Sequence, residues 1–206
     1  KYVSEYGYSL IPHVFSAFAY EYVFKTAGTI INAYGVSILA TVVGTLLSLI
    51  ITVLYAYPIS RKDFEFRRGI TFFIFFTMLF SGGMVPWYIV CVNVLHINNS
   101  IFALIVPYLL NAFYVIIMKT FFETTIPDSV VESARIDGAG NFRTLLQIVI
   151  PLAKPGIATV ALFTTLGYWN DWYLPMMLVT KDKLFNVQYL MYRIINDIQY
   201  LNSMIS

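Results

Sequence analysis

Two long stretches of the chain carry no Asp, Glu, Lys or Arg: the positions between Lys25 and Arg61, and those between Arg68 and Lys119. A membrane-crossing helix needs about 20 apolar residues, so the first stretch has room for one crossing and the second for two. The first predicted span runs from Ala33 to Tyr57 and is closed by Pro58 and the charged segment from Ser60 to Arg68. Within it Ala40, Gly44 and Ser48 recur every fourth residue on one face, where small side chains let another helix approach closely. Chance in a helix rich in small residues accounts for that spacing equally well. The second span covers Ile70 to Val90 and is broken at Ser81-Gly82-Gly83-Met84-Val85-Pro86. Two glycines and a proline open the helical ladder there, so protein or a water-filled cavity must cover the backbone. The third runs from Ile101 to Met118 and contains Pro107 and Asn111; the fourth runs from Pro155 to Val179 and contains Asp171. The pattern therefore predicts an all-α, polytopic membrane protein with about four spans.

Charge decides which way the spans point. The loop at 59–69 holds Arg61, Lys62, Arg67 and Arg68, and the loop at 119–154 holds Lys119, Arg135, Arg143 and Lys154. The link at 92–100 has no Lys or Arg. The positive-inside rule puts the two basic loops in the cytoplasm and the lead, the link and the tail outside. The lead (residues 1–32) mixes aromatics with Glu5, Glu21, His13 and Lys25 and reads as an interfacial segment. The tail (180–206) has a helical stripe of Val187, Leu190, Met191, Ile194 and Ile195, expected to pack against the protein's own outer surface, with a partner as the alternative.

Composition narrows the classes. With 13 basic and 11 acidic residues in 206, only 12% of the chain is charged, against about 25% in soluble domains. A net charge of +2 and the lack of a basic patch interleaved with aromatics argue against nucleic acid. The one cysteine, Cys91, excludes an internal disulfide framework and reads as a small apolar core residue. His13 and His96 are isolated, and no metal site is expected. The chain begins at Lys1 and ends without a further span, which reads as a piece of a longer protein.

The second cytoplasmic loop carries the most specific pattern. In the stretch from Ile126 to Pro151, Pro127 suits a first helical position, and Asp128 and Glu132 suit the positive end of a helix dipole. Gly138 is expected to stop that helix in the left-handed conformation, and a second short helix over Asn141 to Val149 leads up to Pro151. Two short helices with a glycine corner make a knob suited to a groove on another protein.

Within it, Glu132-Ser133-Ala134, then Gly138, then Ile148, Ile150 and Pro151 resemble the EAA loop of ABC-transporter permeases, with Ser133 and Ile150 as mild departures. The segments Phe80 to Pro86, Ile136 to Ala139 and Gly167 to Trp172 are similar to maltose-type carbohydrate-uptake permeases, above all the subgroup importing oligosaccharides or polysaccharide fragments. Set against that family, the chain reads as a piece from which a first and a last helix are expected to be missing. The resemblance implies a type I ABC importer transmembrane domain (33–179) in a bacterial cytoplasmic membrane. It implies a second permease subunit in a heterodimer, a cytoplasmic ATPase dimer that uses the ATP, and an external solute-binding protein, with no cofactor bound by this chain. It also implies ATPase coupling through Glu132, Ser133, Ala134, Asp137, Gly138, Ile148 and Pro151. Glu132 would pair with a basic group on the ATPase, Gly138 would form the corner, and Ala134 would let the helix sit close. The sequence has no G-x-x-x-x-G-K-[ST] phosphate loop, so the chain is expected not to hydrolyse ATP itself, and no hydrolase pattern is present.

Asp171 is the one ionised side chain inside a predicted span, with Tyr168, Trp169, Asn170 and Trp172 around it. Carboxylates and amides suit sugar hydroxyls, and aromatic faces suit sugar rings. An interhelical polar clamp or a snorkelling carboxylate stands beside that reading, and slightly ahead of it. Asn111 is a weaker candidate of the same kind, and the break at Ser81 to Pro86 is either cavity lining or a packed kink. An ion-coupled carrier or channel is the alternative function, and it calls for more intramembrane carboxylates than Asp171 alone. A membrane-embedded enzyme is the third.

Overall fold

The computed structural model describes residues 27–205, so the expected interfacial lead lies almost wholly outside the described residues. What is described is helical, with no strand. The long helix α1 (Ala27–Ser60) is followed by α2 (Arg67–Leu79) and α3 (Met84–Ile89), which continues as a π turn over Val90–Val94. Next come α4 (Phe102–Ile105), tightening into a 3-10 turn at Val106–Tyr108, and α5 (Ala112–Thr125). The second loop contributes α6 (Asp128–Ile136), α7 (Asn141–Thr144) with a π turn over Leu145–Val149, and α8 (Ile150–Leu152). Then follow α9 (Lys154–Trp169), α10 (Tyr173–Leu178), a 3-10 turn at Asp182–Leu184 and α11 (Val187–Ile205).

Only α1, among the described residues, is long and apolar enough to cross a membrane by itself; four crossings are reached if each of three bent pairs counts as one. The second expected span turns by 112° between α2 and α3. Gly83 at the turn has φ +84°, a left-handed backbone that side chains resist. The third bends by 50° between Tyr108 and Ala112, where Asn111 caps α5. The fourth is the largest departure. α9 ends at Trp169, and Asp171 lies beyond it in the break before α10, not inside a helix. The same helix is bent by 81° from the segment that precedes it, at Ala153 between Pro151 and Pro155. The break at Ser81 to Pro86 is exposed along its length, so it is not a kink packed within this chain.

α1 is the central post, packing chiefly on α9 and α5 and more lightly on α2 and α11. Its buried face holds Ala40, Gly44 and Ser48, and also the hydroxyls of Ser37, Thr41, Thr45 and Thr52. The small face expected from the sequence is thus the packing face. Thr45 Oγ1 lies 3.4 Å from Thr165 Oγ1 across the contact with α9. Apolar residues form two clusters. One joins Tyr57, Ile74, Met118, Phe122, Val131 and Val149; the other joins Ala40, Cys91, Leu104, Leu174 and Phe185, so Cys91 is the buried apolar residue expected. Large apolar side chains also face outward, among them Phe72, Phe73, Leu79, Phe80 and Leu162. A lipid-facing surface has this character.

The two basic loops meet at one end of the molecule, through ion pairs described below. At the other end the 92–100 link is tied to the tail: Asn99 Oδ1 accepts from Thr180 N (2.7 Å) and Lys181 N (3.3 Å), and Asn32 Nδ2 donates to Lys183 O (2.7 Å). That grouping agrees with the orientation read from charge. The apolar stripe of α11 departs from expectation. Its start is anchored, with Val187 N donating to Ser37 Oγ at 2.9 Å, but Met191, Ile194, Ile195, Ile198 and Leu201 are exposed. The first two turns reach the body of the protein, where Tyr192 stacks on Trp172, while the stripe from Met191 onward does not pack on this chain's own surface.

Candidate functional site

Two places gather the residues singled out in the sequence, one at each end. At the basic end, α6 and α7 form the expected knob. Pro127 sits one position before the helix, as its N-cap with φ −58° and ψ 140°, because its extended ψ is not helical. Val131 and Ala134 face inward while Glu132 and Ser133 face out; Ser133 Oγ donates to Ser129 O at 2.9 Å. Gly138 takes φ +80° and closes the helix, its N–H donating to Arg135 O (3.0 Å) as Ala139 N–H donates to Ala134 O (2.9 Å). Asp137 and Pro151 are exposed and Ile148 is half-buried.

Ala134 is 6% exposed and turned into its own chain. Its small size therefore serves a close contact within this chain. The sequence reading missed the apolar side chains that lie on the outer face. Ile136 is 86% and Phe142 68% exposed, flanking the glycine corner; an apolar residue just before a helix-stopping glycine and another just after it were the available signal.

Three consecutive residues at the foot of α1 grip this helix at both ends. Lys62 Nζ lies 2.8 Å and Arg61 3.7 Å from the Asp128 carboxylate at its start, and Arg135 in its last turn pairs with Asp63. Each charge also suits the helix dipole at its own end. Arg61 is buried, donating to Phe122 O (3.0 Å) and Ser60 Oγ (3.1 Å). The hydrogen bond from Lys62 holds the Asp128 carboxyl below the usual carboxylate range; burial opposes it, and the charges of Lys62, Arg61 and Arg67 add to the lowering.

At the opposite end a cavity of about 450 Å³ lies between α4, α5, α9 and α10. It brings together Asn111, Tyr168, Asn170, Asp171 and Trp172, five of the six candidates; Trp169 is outside it. It also has Tyr108, Tyr114, Phe163 and Tyr173, which the sequence reading passed over because aromatic residues are common throughout this chain. Its volume falls in the range of small-molecule sites, about 300–1,000 Å³.

Asp171 is 8% exposed. Its Oδ1 accepts from Tyr108 OH (3.3 Å), Tyr173 N (3.1 Å) and Leu174 N (3.3 Å), while its backbone carbonyl accepts from Asn186 Nδ2. The carboxylate thus caps α10 and clamps it to the turn after α4. Oδ2 has no partner among the described residues. Tyr168 is also committed, donating to Ile105 O at 2.9 Å with its ring against α1. Asn111 Oδ1 accepts from Phe113 N (2.9 Å) and Tyr114 N (3.4 Å), which leaves its amide N–H groups for the cavity. The buried Thr164 hydroxyl behind the cavity wall has no hydrogen-bond partner among the described residues. Trp172 stacks one ring face on Tyr192, centroids 4.6 Å apart. The lining therefore offers unused polar groups beside aromatic surface.

Residues 42–205 match the family described as the binding-protein-dependent transport system inner membrane component. The chain is 41% identical over 186 residues to a polygalacturonan/rhamnogalacturonan transport system permease protein of Bacillus subtilis, covering 90% of this chain and 64% of that protein. It is 39% identical over 182 residues to Protein LplC of the same organism, covering 88% and 61%. It thus spans less than two thirds of the length of these relatives. A crystal structure of a bacterial ABC transporter involved in import of the acidic polysaccharide alginate contains a similar chain. The TM-score is 0.85 at 30% identity, covering 98% of this chain and 73% of that one. The all-helical architecture, the knob in the second basic loop and these matches agree: the chain belongs to the binding-protein-dependent transport system inner membrane components, the transmembrane domains of type I ABC importers.

Proposed function

We propose that this chain is a permease subunit of an ATP-driven importer that moves a carbohydrate, an oligosaccharide or polysaccharide fragment, across the bacterial cytoplasmic membrane. The observation that carries the reading is the knob of α6 and α7. It exposes Glu132, Ile136 and Phe142 around the Gly138 corner, on the face where the basic loops gather. Apolar side chains this exposed, set beside a carboxylate, suit a groove with a basic rim on a second protein. That protein is a cytoplasmic ATPase dimer, and the hydrolysis of ATP belongs to it; this chain binds no cofactor and has no phosphate loop in its sequence. A second permease subunit completes the pathway as a heterodimer, and an external binding protein delivers the sugar. Residues 33–179 form the permease core, 119–154 the coupling loop and 180–206 an external tail.

The carbohydrate assignment rests on the transport activities of the relatives and on the character of the outer cavity. Asn111 and Asn170 supply hydrogen-bonding groups there, and Trp172 and Tyr114 supply ring faces. The test is reconstitution of the full-length protein with its candidate ATPase, second permease and binding protein, reading sugar-dependent ATP hydrolysis and uptake. Glu132→Lys and Gly138→Pro are each expected to abolish ATPase association. Intact association and uptake in both variants would remove the docking assignment.

A further inference from the structure

Beside the knob, and distinct from it, α2 and α5 enclose a groove of about 450 Å³ at the basic end of the molecule. Its mouth carries Arg67, Arg68 and Lys119, and its wall carries the outward-facing rings of Phe72 and Phe75. Glu123 also lines it, but Lys119 Nζ pairs with that carboxylate at 2.9 Å. Arg67 and Arg68 have no ion-pair partner among the described residues, so the groove keeps an excess of positive charge.

We propose that this groove binds an anionic glycerophospholipid of the inner leaflet, its phosphate held by Arg67 and Arg68 and an acyl chain lying on Phe72 and Phe75. Three features fix the occupant. The cations sit where the first cytoplasmic loop enters an apolar helix, the depth at which headgroup phosphates lie. Lipids of the inner leaflet supply the matching negative charge, and basic pockets between membrane helices on this side suit such headgroups. The phenylalanines continue from the cations along the same helix, α2, as an acyl chain continues from its phosphate. A free phosphate would use the guanidinium groups and leave the rings without an occupant.

The inference is independent of the coupling and sugar assignments, because it needs only the membrane orientation. The full-length protein in detergent is titrated separately with short-chain phosphatidylglycerol, short-chain phosphatidylcholine and inorganic phosphate, and bound lipid is counted by native mass spectrometry. Phosphatidylglycerol is expected to bind about tenfold more tightly than phosphatidylcholine, and inorganic phosphate is expected not to displace it at equal concentration. Arg67→Gln with Arg68→Gln should remove that preference, Arg67→Lys with Arg68→Lys should keep most of it, and Lys181→Gln with Lys183→Gln, at the opposite end, should leave it unchanged. Equal binding of the two lipids by the wild type would overturn the proposal without recourse to any variant. So would full displacement by phosphate, or a preference that survives the glutamine pair.

Discussion

Gly44 on α1 lies directly under the ring of Tyr168 on α9: a Cβ placed on Gly44 would stand 2.5 Å from Tyr168 Cζ. No smaller residue exists, and the ring cannot retreat freely, because its hydroxyl donates to Ile105 O at 2.9 Å. Helices α1 and α9 are thus brought together on a hydrogen atom. Gly44→Ala is expected to lower stability by about 1–3 kcal/mol through overpacking. Tyr168→Phe, which keeps the ring and loses the donor, should cost about 1 kcal/mol. Thermal unfolding in detergent measures both, and a neutral Gly44→Ala would mean that the ring swings away without penalty.

Asp171 combines a clamp and a cavity wall, and two substitutions separate the roles. Asn retains an acceptor for Tyr173 N and Leu174 N, so Asp171→Asn should assemble normally while changing sugar transport. Asp171→Ala leaves the buried Leu174 N–H, the half-buried Tyr173 N–H and the Tyr108 hydroxyl without their partner and should destabilise the outer end by about 2–4 kcal/mol. If Asp171→Asn altered assembly alone, the carboxylate would be structural only.

The knob offers a contrast between neighbours. Phe142→Asp or Ile136→Asp alters an exposed surface, so folding stability should move by less than about 0.5 kcal/mol while co-purification of the ATPase falls. Ala134→Leu should do the reverse. It pushes a branched side chain into the interior of this chain, at about 1–3 kcal/mol, and weakens the ATPase contact only by unfolding its scaffold. Pull-down of the ATPase together with thermal melting distinguishes the two patterns.

Acid should loosen α6 from its first turn. The carboxyl of Asp128 is depressed below its usual value, chiefly by the hydrogen bond from Lys62. A depressed acid contributes stability above its unfolded-state pKa and loses it as pH falls through the lower, folded-state value. Hydrogen-exchange protection over residues 128–136 is therefore expected to hold at neutral pH and to fall in the acid range below the ordinary carboxylate pKa. In Lys62→Gln the loss should begin at higher pH, nearer that ordinary value. A profile unchanged by Lys62→Gln would assign the shift to Arg61 and Arg67 instead.

Much of this architecture was legible because charge and small residues act locally. The two uncharged stretches and the basic loops located the helices and their sense, Gly82-Gly83 and Pro86 marked the sharp turn, and Gly138 marked the corner of the knob. What stayed hidden depends on partners distant in sequence. Apolarity alone ran the fourth span through Asp171, yet the helix stops at Trp169 because Asp171 serves better as the cap of α10. The inward turn of Ala134 and the exposure of the α11 stripe follow from how helices are placed against one another, which no local pattern encodes. The paired grip of Asp63 on Arg135 and Lys62 on Asp128 likewise spans more than sixty positions.

That grip has a mechanical consequence. At 1.5 Å per residue the 34 residues of α1 make a rod about 51 Å long, and α6 is bolted across its foot at two points, so a twist of one cannot slip past the other. A tilt of about 10° applied there would sweep the far tip through about 9 Å, given that length. The middle of the rod, about 24 Å from the foot, carries Gly44, seated under Tyr168 on the wall of the outer cavity. A single helix thus joins the knob to the cavity wall, and a tilt applied at its foot moves the Gly44–Tyr168 contact through about half the sweep of its far tip.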